Sequence, residues 1–148
     1  VGETIAQAST YTVGSDQHLE LDLKQGSVFT HTANGSNIGI VSFKNLPADA
    51  GVKNGATVTL IHTQGTGAGM ANSSTAYGFN SCKITGFEDG SPLAVVSLTA
   101  KAGTGVTVSA SDTESDVDFI SYFIQYKGGT NTQAASYDVF VTKNGSFR

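Results

Sequence analysis

From Asp16 to Leu23 the chain alternates between apolar and polar residues. Leu19, Leu21 and Leu23 fall on one side, and His18, Glu20 and Asp22 on the other. A period of two is the signature of a strand with one face buried. The same alternation recurs at Ala56–Thr63, where Val58, Leu60 and His62 oppose Thr57, Thr59 and Ile61. Strands are also predicted at 27–32, 37–43, 81–87, 93–100, 106–110 and 136–142. Val117–Tyr126 differs because both of its faces are apolar: Phe119 and Phe123 on one, Ile120, Tyr122, Ile124 and Tyr126 on the other. A strand apolar on both sides is central, or packs against a second subunit as well as its own core. These six residues are therefore the expected oligomer interface.

The breaks between strands carry turn chemistry. Asn34-Gly35, between two apolar runs, predicts a type I′ hairpin. Asp89-Gly90, Gly103-x-Gly105, Gly128-Gly129 and Asn144-Gly145 close later segments. Residues 1–15 show isolated apolar positions only and read as an amino-terminal arm or linker from something upstream, leaving 16–148 as the folded domain. The start Val1-Gly2-Glu3-Thr4 has neither an initiator Met nor a signal-peptide pattern, as expected of a mature product or a fragment. Eight or nine short strands at roughly ten-residue spacing predict an all-β fold, an antiparallel β-sandwich of jelly-roll type.

Composition narrows the partners. The chain has 148 residues, with 18 Gly and only 14% charged residues. Ser and Thr together number 34. Eight Phe and five Tyr argue against disorder. The net charge is −4 and the only arginine is Arg148, so the clustered cations that nucleic acid or anionic membrane would need are absent. No apolar run is long enough to predict membrane insertion. One cysteine, Cys82, rules out an internal disulfide framework. It reads as a small buried hydrophobe.

Candidate chemistry is sparse. Gly65, Gly67 and Gly69 lack the lysine and the helix of a phosphate loop. His31 shares a face with Phe29, and His62 with Val58 and Leu60, so both read as packing histidines; His18 lies elsewhere. Asp112, Glu114, Asp116 and Asp118 occupy alternate positions, and an extended chain would put all four on one face, where oxygen ligands suit calcium. The competing reading is a solvated edge that discourages strand pairing. The long 64–80 loop, with Met70, Tyr77 and Phe79, is the expected ligand or receptor surface. No nucleophile is paired with a base, so no catalytic residues are assigned and no enzyme is expected. Asn34, Asn72 and Asn144 head sequons that matter only in a eukaryotic secretory setting.

Three stretches carry a resemblance. Leu19-Glu20-Leu21-Asp22-Leu23 runs on to Gly26 and Phe29; Phe43-Lys44-Asn45-Leu46-Pro47-Ala48 follows; then comes Thr59-Leu60-Ile61-His62-Thr63-Gln64-Gly65. Together with Phe119–Phe123, Lys127-Gly128-Gly129-Thr130 and Tyr137–Val141, they resemble a β-domain of tailed-phage fibre and virion-appendage proteins. The chain departs from that family in having no Trp and a longer 81–116 stretch. The resemblance implies a fibre, knob or capsid-decorating domain at the virion surface. Its partners would be sister copies, usually in a homotrimer, other virion proteins, and a host-surface glycan at the loop. The alternatives from other classes are an extracellular carbohydrate-binding module or lectin, and a self-assembling filament subunit.

Overall fold

A computed structural model describes residues 4–14, 16–47, 55–70, 78–89, 95–104 and 108–148. Ten strands form two five-stranded sheets. They are β1 (Ile5–Gln7), β2 (Ser9–Val13), β3 (Asp16–Asp22), β4 (Val28–Thr32) and β5 (Asn37–Lys44), then β6 (Gly55–Thr63), β7 (Ser81–Ile84), β8 (Val96–Thr99), β9 (Val117–Tyr126) and β10 (Tyr137–Phe147). Sheet A runs β1-β4-β6-β9-β10 and sheet B runs β2-β3-β5-β7-β8. The all-β sandwich expected from the alternation is the fold observed. Among the described residues, no helix is long and apolar enough to cross a membrane.

The sheets are mixed rather than antiparallel. From β3 to β7 the chain changes sheet at every connection, so strands two apart in sequence become neighbours and run parallel. Antiparallel pairs join β2 to β3, β6 to β9, β7 to β8, and β9 to β10. This winding replaces the expected jelly roll, and it removes the hairpin expected at Asn34-Gly35. A type I′ turn needs positive φ at both central residues. Gly35 has φ 93°, whereas Asn34 is not in that region, and the segment instead carries the chain from sheet A to sheet B.

The amino-terminal residues belong to the sandwich rather than to an arm. β1 pairs with β4 and β2 with β3, and between them Ala8 N–H donates to the Thr30 carbonyl, joining the two sheets on that side. On the opposite side Lys101 ties the sheets together: its N–H donates to Val139 O, and its carbonyl accepts from Val141 N–H. Val108–Ala110, the described part of the strand expected at 106–110, is not in a strand.

The core lies between the layers. Leu19, Leu21, Val41, Phe43 and Ile84 of sheet B pack with Phe29, Val58, Leu60, Ile120 and Ile124 of sheet A. Tyr122 is fully buried among them, its hydroxyl satisfied by the Phe79 carbonyl at 2.7 Å. A buried hydroxyl without such a partner would carry a desolvation cost of about 1–3 kcal/mol.

Candidate functional site

The sandwich has two outer faces of opposite character. On sheet B the outward positions of β3, β5 and β7 include Glu20, Asp22, Lys44 and Lys83, with Glu20 and Lys44 paired at 3.8 Å. That is an ordinary solvated surface. On sheet A the outward positions of β4, β6 and β9 carry no charged residue. They present Val28, Thr30 and Thr32, then Thr57, Thr59, Ile61 and Thr63, then Phe119, Ser121, Phe123 and Gln125.

Four phenylalanines stand out from this face. Phe119, Phe123, Phe140 and Phe147 are 39, 43, 41 and 50% exposed, large values for a side chain whose transfer out of water is favourable. Cross-strand register groups them. Phe123 lies opposite Phe140 across β9–β10 and their rings stack at 6.4 Å. Phe119 meets Phe147 at 5.5 Å. The Phe123 ring also lies across the backbone of Gly55, where a Cβ would come within 3.1 Å of it.

Phe147 reaches the cluster through a bulge. Up to Asn144 the even-numbered residues of β10 face outward; the irregularity between Asn144 and Phe147 then shifts the phase and sets Phe147 opposite Val117. A one-residue insertion re-aims a side chain in this way. Charges appear only at the margin. Lys101 Nζ sits 5.6 Å from the Phe140 ring centre and 2.7 Å from Asp138, which also pairs with Lys127 at 3.5 Å. An aromatic cluster on β9 and β10, bordered by charge on one side and by an uncharged, threonine-rich surface on the other, has the composition of a protein interface.

The six residues expected at an interface therefore divide. Phe119 and Phe123 are on the open face. Ile120, Tyr122, Ile124 and Tyr126 point inward and are buried in the protomer's own core, so they have no surface left to offer a partner. Phe140 and Phe147 were not singled out by the sequence. The available signal was Val139-Phe140-Val141, an apolar run on both faces like that of β9.

The expected ligand loop holds less. Tyr77 lies outside the described residues. Phe79 is not at a rim: it is buried, packs edge-on against His62 at 5.3 Å and supplies the carbonyl for Tyr122. Met70 is partly exposed beside a short 3₁₀ turn, Gly67–Gly69.

The acidic run does not form the expected calcium face. Ser115 has φ 62° and the chain turns there, so the four carboxylates do not line one extended strand: Asp116 and Asp118 both bond Ser111, whereas Asp112 and Glu114 bond elsewhere. Each accepts from protein. Asp112 accepts from the Thr113 hydroxyl and Glu114 from Gly67 N–H. Asp116 is buried, accepting from Ser111 Oγ at 2.6 Å and from Arg148 Nε at 2.9 Å. Asp118 accepts from Ser111 N–H at 2.9 Å and faces Lys143 at 3.5 Å. Among the described residues, no three or more His, Cys, Asp or Glu are grouped to hold a metal ion.

His31 and His62 are buried on the inner face, as their apolar neighbours in sequence indicated. His18 lies on the other side of β3, with Nδ1 3.3 Å from the Tyr11 hydroxyl. Cys82 is buried, and burial pushes its thiol pKa well up, which leaves it unreactive. No family model, curated protein or solved structure matches this chain.

Proposed function

We propose that this chain is a structural β-domain that works by assembling with copies of itself, as a fibre, knob or capsid-decorating domain on the outside of a virion. The phenylalanine-bearing outer face of sheet A, whose β4, β6 and β9 positions are uncharged, carries the reading. A solvated face has no need of four half-exposed Phe side chains and bears charge, as the outer face of sheet B does. The five strands of sheet A span roughly 600 Å² at ordinary strand spacing and rise. With side-chain relief this approaches the ~800 Å² per partner typical of a stable interface.

The virion setting rests on the resemblance of residues 19–63 and 119–141 to tailed-phage appendage domains, and so does the expectation of three copies. Other virion proteins would anchor the assembly, and a host-surface glycan would be met through the 64–80 loop.

Light scattering on the purified chain tests this reading. The expected result is one discrete mass of three copies of the 15.2 kDa chain, insensitive to chelator. A single-copy mass that persists as the protein is concentrated would overturn it.

A further inference from the structure

On the inner face of sheet A, register aligns three buried polar residues across adjacent strands: His31 on β4, His62 on β6 and Asp118 on β9. The imidazoles stack with ring centres 5.4 Å apart and planes 23° from parallel. His31 Nε2 lies 3.1 Å from Gln17 Oε1 of sheet B. His31 Nδ1 and both nitrogens of His62 have no hydrogen-bond partner among the described residues. A buried polar group left unmatched calls for an explanation. We infer that the stacked pair His31–His62 is an acid-sensitive latch on the β1–β4 edge of the sandwich, closed while both rings are neutral and opened by their protonation.

Among the described residues, no carboxylate is hydrogen-bonded to either ring. Asp118 lies opposite His62 in register, but its carboxylate is turned toward β10. Its Oδ2 faces Ser111 N–H and Lys143; its Oδ1, with no hydrogen-bond partner among the described residues, lies against the Gly145 backbone, where a Cβ would overlap it. Asp116 is engaged by Ser111 and Arg148. From β10, Lys143 adds positive charge of its own. From sheet B, Gln17 brings an uncharged amide, and Phe79 offers only its ring. Cys82 and Tyr122 are both held protonated by burial and stay neutral.

Burial, then the neighbouring His31, then Lys143, lower the His62 pKa to about 3, and burial lowers that of His31. A free imidazole takes its proton near pH 6.5, so the open form binds protons that the closed form rejects. The closed state is therefore favoured in full above about pH 6.5 and loses ground as pH falls toward the depressed values.

The opening has a direction. β6 is held between β4 and β9, whereas β4 is covered at its outer edge only by the three residues of β1. Across the layers, His31 is within hydrogen-bond distance of Gln17 of sheet B. β4 is thus the less enclosed of the two histidine-bearing strands, and its opening also withdraws Phe29 from the core. The inference concerns the protomer and holds whether or not copies assemble.

Amide hydrogen exchange, followed as protection factors between pH 7.5 and 4.5, tests the latch. Below about pH 6.5 the opening constant of the 28–32 amides should rise about tenfold per pH unit for each histidine that takes a proton on opening. The β9–β10 pairing at Gln125–Asp138 should not follow. Constant protection of β4 across this range would overturn the inference. In His31→Gln/His62→Leu the rise should vanish; the same rise in that variant would also overturn it. If the double variant does not fold, His31→Gln alone should halve the slope of the logarithm of the opening constant, and an unchanged slope counts against the latch. Nitrogen NMR of the folded wild type should show the His62 ring neutral at pH 5.5, and a charged His62 ring there would contradict it.

Discussion

Replacing Phe119 and Phe123 together with threonine is expected to convert the assembly to single protomers while leaving the sandwich folded. Both rings are about two-fifths exposed in the protomer, and that exposed part is what assembly would bury. Threonine keeps a strand-compatible side chain at each position, and threonine already occupies the neighbouring outward sites Thr57 and Thr59. Aromatic residues at the centre of an interface typically cost about 2 kcal/mol or more each when truncated. Two of them together weaken association by a factor on the order of 10³. Light scattering at matched concentrations should show the mass fall to one copy, with the circular dichroism spectrum retained. An unchanged mass would place the contact elsewhere.

The second large effect is expected at Gly145. Its Cα lies so close to the Asp118 carboxylate that an added Cβ would overlap Asp118 Oδ1 and crowd its Cα. The carboxylate has little room to retreat: it is fully buried and held by Ser111 N–H on one side, with Lys143 beside it. Gly145→Ala must therefore shift either the bulge or a buried, hydrogen-bonded charge. Overpacking of this kind costs about 3 kcal/mol at its upper end, or roughly 10 °C in Tm for a domain of this size. The bulge also aims Phe147 at Phe119, so displacing it should loosen assembly as well. Gly86→Ala is the matching control, since nothing lies within 4 Å of a Cβ there. Its Tm should move by no more than a degree or two, roughly the ±0.5 kcal/mol of an ordinary surface change.

The legible part of the fold was local. The period of two set the inward residues of β3, β6 and β9 correctly, because each of those strands has one face against the other layer. Strand order was not legible. The parallel pairing of β3, β5 and β7 arises from the chain crossing between layers at each connection, and no dipeptide encodes that. Asn34-Gly35 has the composition of a hairpin turn yet serves as a crossover, because β4 buries Phe29 on sheet A while β5 buries Val41 and Phe43 on sheet B.

β1 and β2 escaped notice for another reason. They lie at sheet edges and are largely exposed, so they show no buried stripe. Backbone pairing holds them, and backbone pairing leaves no trace in side-chain pattern.

The candidate surface was half legible. Phe119 and Phe123 were visible as the second apolar face of β9. Phe147 was hidden by the bulge, which breaks the alternation that would have placed it with Phe140. The acidic run misled for a similar reason. Alternate carboxylates share a face only on an extended chain, and the turn at Ser115 separates Asp112 and Glu114 from the Asp116–Asp118 pair on Ser111.

One measurement bears most directly on the claim that copies meet through the outer face of sheet A. Cys82 is the only native cysteine and is buried, so a single engineered cysteine can carry a spin label alone. The label is attached at Ser121→Cys, between Phe119 and Phe123, or at Ser97→Cys, on the outer face of sheet B. Pulsed dipolar spectroscopy then reports how close the labels of sister copies come. The account predicts strong coupling from position 121, with distances far shorter than those from position 97. Coupling at 97 that is stronger than at 121, in a sample of confirmed oligomer, would contradict it.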